Sequence, residues 1–554
     1  MKKTLGSFYG FTIPGKIDWR LLIFLLFFLN VKLVIKIAAV FLVYILRPDF
    51  KFGFRLKNSR LPLFYLLVIG ITLVNWLISR MTSNFNYNLV LITGIFFWSL
   101  CILAIHQIKL SVEKNDPSII HRTIVVFFII NALASLFVYA GIVWETGAIN
   151  AYRYQGNYQK YFIGTGDYIK GISFDTSTTN AVLNAFGVIY FLSKGKHMLA
   201  ILCMAVLLLT GSNISNLFLC STLLFMFFFQ SNKEQKSTII ICLLMLITFL
   251  IKISPENNKY VAGAYQRLFN KQLPVKEKAI DNIPITQKPD SILTGEEKKQ
   301  KIAQLYLDSI NISIFEKKQK RSTIALTTTP VTEFKEKPVI PGSSIHTQPF
   351  QHVNDTTVTE KKLLQFVESN NAEVPISAGL TTKPTLPGKV IALQQTFRYF
   401  KAHPGKMLMG TGIGNFSSKL AFRSTAMKIA GGYPAKYTYI NEDFKSNHLD
   451  LYLYYFSNVD ELHSIGNSPN STYDQLLSEY GVAGLVAFGI FYIGFFVKQF
   501  KKQAYAIPLL LFMLVIFSVD YWFEQLSVII FLELLLLLNI KEINTNSNHA
   551  YNET

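Results

Sequence analysis

The sequence contains long blocks of apolar residues that are almost free of charged side chains. Residues 61–79, 89–108, 124–143 and 481–497 each approach the ~20 residues that an α-helix needs to cross the hydrocarbon core of a bilayer. Backbone polar groups in lipid must be paired within the spanning structure, which leaves helices and closed barrels. The blocks lack the alternation of a barrel strand, so the sequence predicts an all-α integral membrane protein.

The first apolar stretch follows several basic residues and therefore resembles a secretory signal peptide. No small-residue cleavage site follows residues 21–29 and the apolar sequence continues, which predicts an uncleaved first span. Asn30, Lys32 and Lys36 interrupt the stretch 21–46 and favour two short half-spans. Shorter apolar blocks elsewhere in the chain cover residues 237–253, 505–519 and 526–540.

Lysine and arginine residues cluster in the gaps between apolar blocks, although the formal net charge of +20 alone would suggest a nucleic-acid partner. This distribution is typical of the positive-inside rule, so we expect a membrane partner and no nucleic acid. With the N terminus in the cytoplasm, most basic clusters fall on the cytoplasmic side. The charge pattern then predicts about twelve transmembrane helices (roughly 10–12), with both chain ends inside.

This topology divides the chain into four regions. One large extracytoplasmic loop separates two sets of transmembrane helices. The middle of the loop is rich in Lys, Thr, Pro, Ser and Glu, which predicts a disordered, flexible insertion, with a partner-binding element as the alternative. The regions are the N-terminal transmembrane bundle (1–253), the loop (254–480, with the insertion at 270–388 and an ordered motif region at 389–480), the C-terminal transmembrane helices (481–540) and a cytoplasmic tail (541–554).

Neither metal nor cofactor is predicted, because no His, Asp and Glu residues group with ligand spacing. All four cysteines lie within apolar blocks and form no CxxC pair, which argues against disulfides and structural zinc. A carboxyl group also lies within an apolar block, at Glu533. Such groups usually face a partner or a cavity, and Lys32 or Lys36 is a candidate partner.

The motif region begins with a helix that carries one apolar stripe and ends before His403 and Pro404. The stripe consists of Val390, Leu393, Phe397 and Phe400. A glycine-rich run follows, with Gly410, Gly412, Gly414 and Asn415. A dinucleotide site would need a preceding strand, so we reject that interpretation. The glycines are expected to allow a tight turn or a close approach of two backbones.

A second block extends from Asn470 to Gly484. Ser471 and Asp474 form a capping-box-like start of a helix, with Asn470 as the alternative cap. The helix would continue past Glu479 into the apolar block 481–497, so its polar beginning would lie at the outer membrane surface. That position suits chemistry on a lipid-linked substrate.

Together these features resemble the superfamily of O-antigen ligases and O-antigen polymerases. The resemblance rests on residues 389–416, residues 470–484, the turn at Thr210-Gly211-Ser212 and the overall hydropathy. Three departures indicate a divergent member. Pro469 stands where the ligases have a histidine, Asn213 where they have an arginine, and Lys389 where an arginine opens the helix.

The resemblance implies an enzyme of cell-surface polysaccharide assembly in the bacterial inner membrane, with its large loop on the periplasmic side. It would transfer a glycan from undecaprenyl diphosphate to a lipid or glycan acceptor, without a metal, as a ligase or as a repeat-unit polymerase. A non-enzymatic transporter or flippase of lipid-linked sugars is a competing interpretation, and a membrane scaffold is a third.

The reaction needs cations for the departing diphosphate and a base for the attacking hydroxyl. The resemblance points to Arg153 and Arg267 for the diphosphate, with a snorkelling interface cation as the alternative. Arg398 and Arg423 are further candidates for the diphosphate, with a charge on a solvated helix face as the alternative. The base candidates are His463, with His448 as the other nearby histidine, and Glu479, for which capping or packing is the alternative.

Overall fold

The computed structural model describes residues 15–79, 81–153, 164–254, 301, 386–425, 432–455, 468–499 and 505–552. The described part of the chain contains α-helices and short 3-10 or π turns but no β-strand, which confirms the all-helical fold class. In chain order, the first nine helices are α1 (Trp19–Phe28), α2 (Leu33–Leu46), α3 (Phe64–Ile78), α4 (Phe85–Lys114), α5 (Pro117–Thr146), α6 (Ser177–Ser193), α7 (His197–Leu209), α8 (Asn213–Phe229) and α9 (Lys233–Ile253).

Eight further helices complete the described chain. They are α10 (Gly388–Ala402), α11 (Lys419–Arg423), α12 (Glu442–Asn447), α13 (Leu449–Tyr455), α14 (Thr472–Val497, with a π turn), α15 (Ala506–Ile516), α16 (Trp522–Gln525) and α17 (Ser527–Asn552). Helices α4, α5, α9 and α14 are long and apolar enough to cross a membrane, and six others are shorter but apolar. These apolar helices agree with the prediction of a membrane protein.

Helix α17 lies at the centre of the bundle and contacts α4, α5, α6 and α15. All its side chains from Ser527 to Leu538 are buried, including the carboxyl group of Glu533. Glu533 accepts a hydrogen bond from the hydroxyl of Tyr65. Lys36, a predicted partner of Glu533, instead donates to the carbonyl of Phe28 and to the Ser527 hydroxyl, at 2.8 and 2.7 Å.

Two of the three residues predicted to interrupt this stretch, Asn30 and Lys32, fall at a break between two helices, whereas Lys36 lies within α2. Helix α1 ends at Phe28 and α2 begins at Leu33, and the two pack against each other. The connecting segment is held in place because the Val31 N–H donates to the Ser173 carbonyl at 2.8 Å. The first apolar stretch is therefore a helical hairpin.

Basic side chains gather at one end of the bundle, which we call the basic end. Arg47 donates to the carbonyl of Leu110 at 3.1 Å, and the Arg60 guanidinium lies 2.5 Å from the Glu113 carboxylate. Arg47 follows the C terminus of α2, and Arg60 lies shortly before α3. Leu110 and Glu113 belong to the last turns of α4. The last helix joins the same end. Its Lys541 ammonium donates to the carbonyls of Val112, Glu113 and Asn115 at the C terminus of α4.

Candidate active site at the other end of the bundle

The glycine-rich loop, residues 407–418, lies at the end of the bundle opposite the basic end and pairs with the backbone of α14. The N–H of Thr411 donates to the carbonyl of Ser478 at 2.9 Å. Beside this pairing α14 departs from helical geometry at Gly481, whose φ is 68°. A Cβ atom added to Gly410 or Gly481 would overlap the opposing backbone. The two segments therefore approach as closely as only glycine permits.

Glu479 is completely buried beneath this loop and accepts three of its backbone N–H groups. Its Oε2 accepts from Gly414 at 2.9 Å, and its Oε1 accepts from Phe416 and Ser418 at 3.2 Å each. Burial raises the pKa of Glu479 to about 7, while the hydrogen bonds from the loop act in the opposite direction by favouring the charged carboxylate. Both carboxylate oxygens of Glu479 are thus occupied by the loop. The geometry therefore favours a packing role for Glu479 over the role of catalytic base.

Asn415 fastens the loop to the membrane helices and is also completely buried. Its side-chain amide donates to the Thr411 carbonyl at 2.9 Å and to the Tyr87 hydroxyl at 3.2 Å. Its carbonyl oxygen accepts from the hydroxyl of Tyr439 at 2.7 Å. Since Tyr87 belongs to α4, the loop is held between α4 and α14.

The beginning of α14 presents a carboxylate to the polar face of α10. Ser471 is the helix cap, as predicted, and Asp474 lies in the first turn. The Thr396 hydroxyl donates to Asp474 Oδ1 at 2.7 Å, and His448 Nε2 lies 3.3 Å from Asp474 Oδ2. All three side chains are buried, so this polar cluster is sealed from solvent.

Lys389 connects α10 to the segment before α14. Its ammonium donates to the Ser468 hydroxyl at 3.1 Å, to the Val519 carbonyl at 2.7 Å and to the carbonyl of Asn470. The Asn470 side chain in turn donates to Asp520 at 3.3 Å. Burial lowers the pKa of Lys389 to about 7, against the attraction of nearby carboxylates.

A second carboxyl group, that of Glu524 on α16, is only partly covered. Its Oε1 accepts from the side-chain amide of Gln475 at 2.6 Å. Burial and, after it, the charge of Glu479 raise the pKa of Glu524 to about 8, whereas Arg423 and Lys419 act in the opposite direction. Glu524 therefore keeps its proton to a higher pH than an ordinary glutamate does.

Two cations are near enough to Glu524 for their charges to lower its pKa. Lys419 and Arg423 stand one turn apart on α11, and both are partly buried. Within the part of the chain that the structure describes, neither side chain takes part in a salt bridge. Partly buried cations of this kind are suited to holding an anion.

The other predicted residues lie apart from this cluster or outside the described residues. Arg153 is exposed on a 3-10 turn between α5 and α6, and Arg398 is exposed on α10. Arg267 and His463 lie outside the described residues. Glu524 was not among the predicted site residues, because the aromatic residues before it resemble the aromatic belt found at membrane surfaces. An acidic residue between two apolar blocks could itself have indicated a functional site.

The described residues form no group of His, Cys, Asp and Glu that could hold a metal ion. Fold and site together define an all-helical protein with apolar, membrane-type helices and a cluster of carboxyl and cationic groups at one end. No protein family, curated protein or solved structure matches the chain.

Proposed function

We propose that this protein is a glycosyltransferase of the bacterial inner membrane that moves a glycan from undecaprenyl diphosphate to an acceptor hydroxyl. The observation that carries the proposal is that Glu524, held by Gln475 of α14, has Lys419 and Arg423 near enough for their charges to act on it, next to the glycine-rich loop. The two sequence blocks that resemble O-antigen ligases and polymerases meet at this site, because Glu479 of one binds Gly414 of the other.

The charge distribution supports an orientation with the site on the periplasmic side. Lysine and arginine residues near helix ends favour the cytoplasm, and here they gather at the basic end. The glycine-rich loop lies at the opposite end, where the Asn75 amide of α3 donates to the Gly410 carbonyl at 3.2 Å. Helices that alternate between these two ends would give about twelve passes, with both chain ends inside.

The chemistry of glycosyl transfer assigns a role to each group. The acceptor oxygen forms a bond to the anomeric carbon, and the bond from that carbon to the diphosphate oxygen breaks. The diphosphate leaves with the bonding electrons, and Arg423 and Lys419 stabilise its charge. The acceptor proton passes to the Glu524 carboxylate. A base whose pKa lies near the working pH is effective in this role.

Transfer by the purified protein from a polyprenyl-diphosphate glycan to an acceptor tests the proposal. We expect Arg423→Ala and Lys419→Ala each to reduce transfer strongly. Lys401→Ala is the matched control, because Lys401 is an exposed cation on α10. Arg153→Ala tests whether this exposed arginine also contributes. Full activity of the Lys419 and Arg423 double variant would refute the assigned diphosphate site.

A gene deletion distinguishes the competing functions. Loss of all attached surface glycan indicates a ligase, whereas single attached units without a ladder indicate a polymerase. A transporter of lipid-linked sugars remains the second candidate, favoured by the buried Glu533 and Tyr65 pair, because carboxyl groups within membranes often mark transport pathways. In that case purified protein would fail to transfer glycan, although the deletion would still deplete surface glycan.

A further inference from the structure

Helix α10 carries apolar side chains on both its buried and its exposed face. The buried face combines Ile391 and Phe400 with polar groups, among them Thr396, which donates to Asp474. Its apolar stripe points away from the protein, with Val390 41% and Phe397 58% exposed. The exposed stripe consists of Val390, Leu393 and Phe397 on α10 together with Leu386, which lies just before the helix. Large apolar side chains grouped in this way mark an interaction surface.

The apolar surface continues along the chain into α14. Met407 and Leu408 follow α10 and are also exposed. Their carbonyls accept the N–H groups of Val482 and Ala483, at 2.9 and 3.0 Å. Since α14 is long and apolar enough to cross a membrane, its exposed side chains face lipid in a membrane.

Exposure along α14 shows that the residues described by the structure leave this side uncovered. Val482, Val486 and Ile490 are 37%, 48% and 52% exposed, and they recur every four residues on one side of the helix. The Leu408 carbonyl thus accepts a hydrogen bond from Ala483, next to Val482, where this lipid-facing side of α14 begins. The stripe of α10 and the lipid-facing side of α14 are joined through Met407 and Leu408.

Cationic side chains accompany the stripe. Arg398 and Lys401 are exposed next to it on α10. A helix with Phe and Leu on one side and basic residues beside them is typical of helices that lie in the membrane interface. Long basic side chains there extend their charges to the lipid headgroups.

We propose that α10 lies in the plane of the membrane surface and buries the stripe Leu386, Val390, Leu393 and Phe397 among the lipids. The buried face, with Thr396, then points to Asp474 and away from the bilayer. The occupant of this surface is bilayer lipid, because the stripe adjoins the lipid-facing side of α14. The inference does not depend on glycosyl transfer.

Fluorescent labelling in vesicles tests the proposal. The full-length protein carries Phe397→Cys or Leu393→Cys, labelled with an environment-sensitive maleimide dye, in vesicles of phosphatidylethanolamine and phosphatidylglycerol. Labelling of the parent protein is subtracted, because the native cysteines are retained. We expect blue-shifted emission at both positions, and several-fold stronger quenching by lipid spin-labelled near the headgroup than by aqueous iodide.

Gln394→Cys is the matched control, since Gln394 is exposed on the adjacent side of α10. Its label should be quenched more by iodide than by spin-labelled lipid. Water-like emission at Phe397→Cys, with iodide quenching equal to that at Gln394→Cys, would overturn the proposal. Energy transfer between differently labelled copies, without lipid quenching, would also overturn it and would identify a second copy as the occupant.

Discussion

Two glutamates at the site show how surroundings decide the role of a carboxyl group. Glu479 is surrounded by three backbone donors, whereas Glu524 receives one side-chain amide and remains partly open. Neighbouring carboxyl groups with different environments commonly take different roles in enzymes. Here the open carboxyl group suits proton transfer, and the enclosed one suits holding the loop.

Glu524 sets a predicted pH dependence of glycan transfer. The base must be deprotonated to accept the proton, so the rate should rise with pH and level off above about 8. Glu524→Gln should lower the rate by roughly 10²–10⁴-fold and remove the rise, because general base catalysis contributes about that much. Initial rates across a pH series measure both effects. An unchanged pH profile in Glu524→Gln would exclude it as the base.

Glu479 should affect stability rather than proton transfer. Glu479→Gln replaces an acceptor oxygen with a donor, which leaves buried N–H groups of the loop unpaired. We expect a loss of roughly 1–3 kcal/mol in the free energy of unfolding, since that is the usual cost of an unpaired buried group. Thermal unfolding in detergent measures it, with Glu524→Gln as the control. Wild-type stability with abolished transfer would instead support Glu479 as the catalytic base.

At the level of elements, the crossing of the glycine-rich loop over α14 holds the site together. The crossing leaves no space for side chains at Gly410 or Gly481, and both glycines have positive φ. Periodicity and glycine spacing in the sequence predict a helix and a close approach. They do not say which backbone is approached, because the partner, Glu479, lies 69 residues from Gly410.

Alanine substitution tests this crossing. Gly410→Ala should lose about 1–3 kcal/mol from backbone strain alone and more from the overlap with Glu479. Gly405→Ala is the control, because a Cβ there would meet nothing within 4 Å. Yield of monodisperse protein on size-exclusion chromatography is the measurement. Equal yields for the two variants would contradict the tight crossing.

Helix α10 illustrates a different limit of periodicity. The spacing identifies the stripe of Val390, Leu393 and Phe397 but not what covers it, and Phe400, assigned to the same stripe, is buried. In a soluble domain such a stripe would face a protein core. Next to a bilayer, lipid can cover such a stripe equally well. Whether the stripe faces protein or lipid therefore depends on how α10 packs against the neighbouring helices.

At the scale of the whole molecule, many basic side chains lie at the end of the bundle opposite the glycine-rich loop, whereas Lys389, Lys419 and Arg423 lie at the candidate site. Basic residues scattered over the sequence, such as Arg47, Arg60 and Lys541, come together at one end of the bundle. This agrees with the separation that the positive-inside rule requires. The orientation proposed for the chain follows from this separation.

Cysteine labelling tests the orientation. Lys114→Cys lies at the basic end and Lys436→Cys at the site end, and both positions are exposed. In intact spheroplasts, a membrane-impermeant maleimide should label Lys436→Cys directly and Lys114→Cys only after permeabilisation. The parent protein serves as the background control. The reverse pattern would put the site in the cytoplasm and contradict transfer from a periplasmic lipid-linked donor.

The sequence by itself determined that this chain is all-helical and of membrane type, and it located the break at residues 30–32. These features are local, because a helix in lipid pairs its backbone within a few residues. Only the tertiary structure decided that Glu479 accepts hydrogen bonds from the loop and that Lys36 donates to Ser527. It also decided that Glu524 is partly exposed and near enough to Arg423 for that charge to lower its pKa. Those contacts join residues far apart in the chain, and burial and hydrogen bonding at such contacts depend on how whole helices pack.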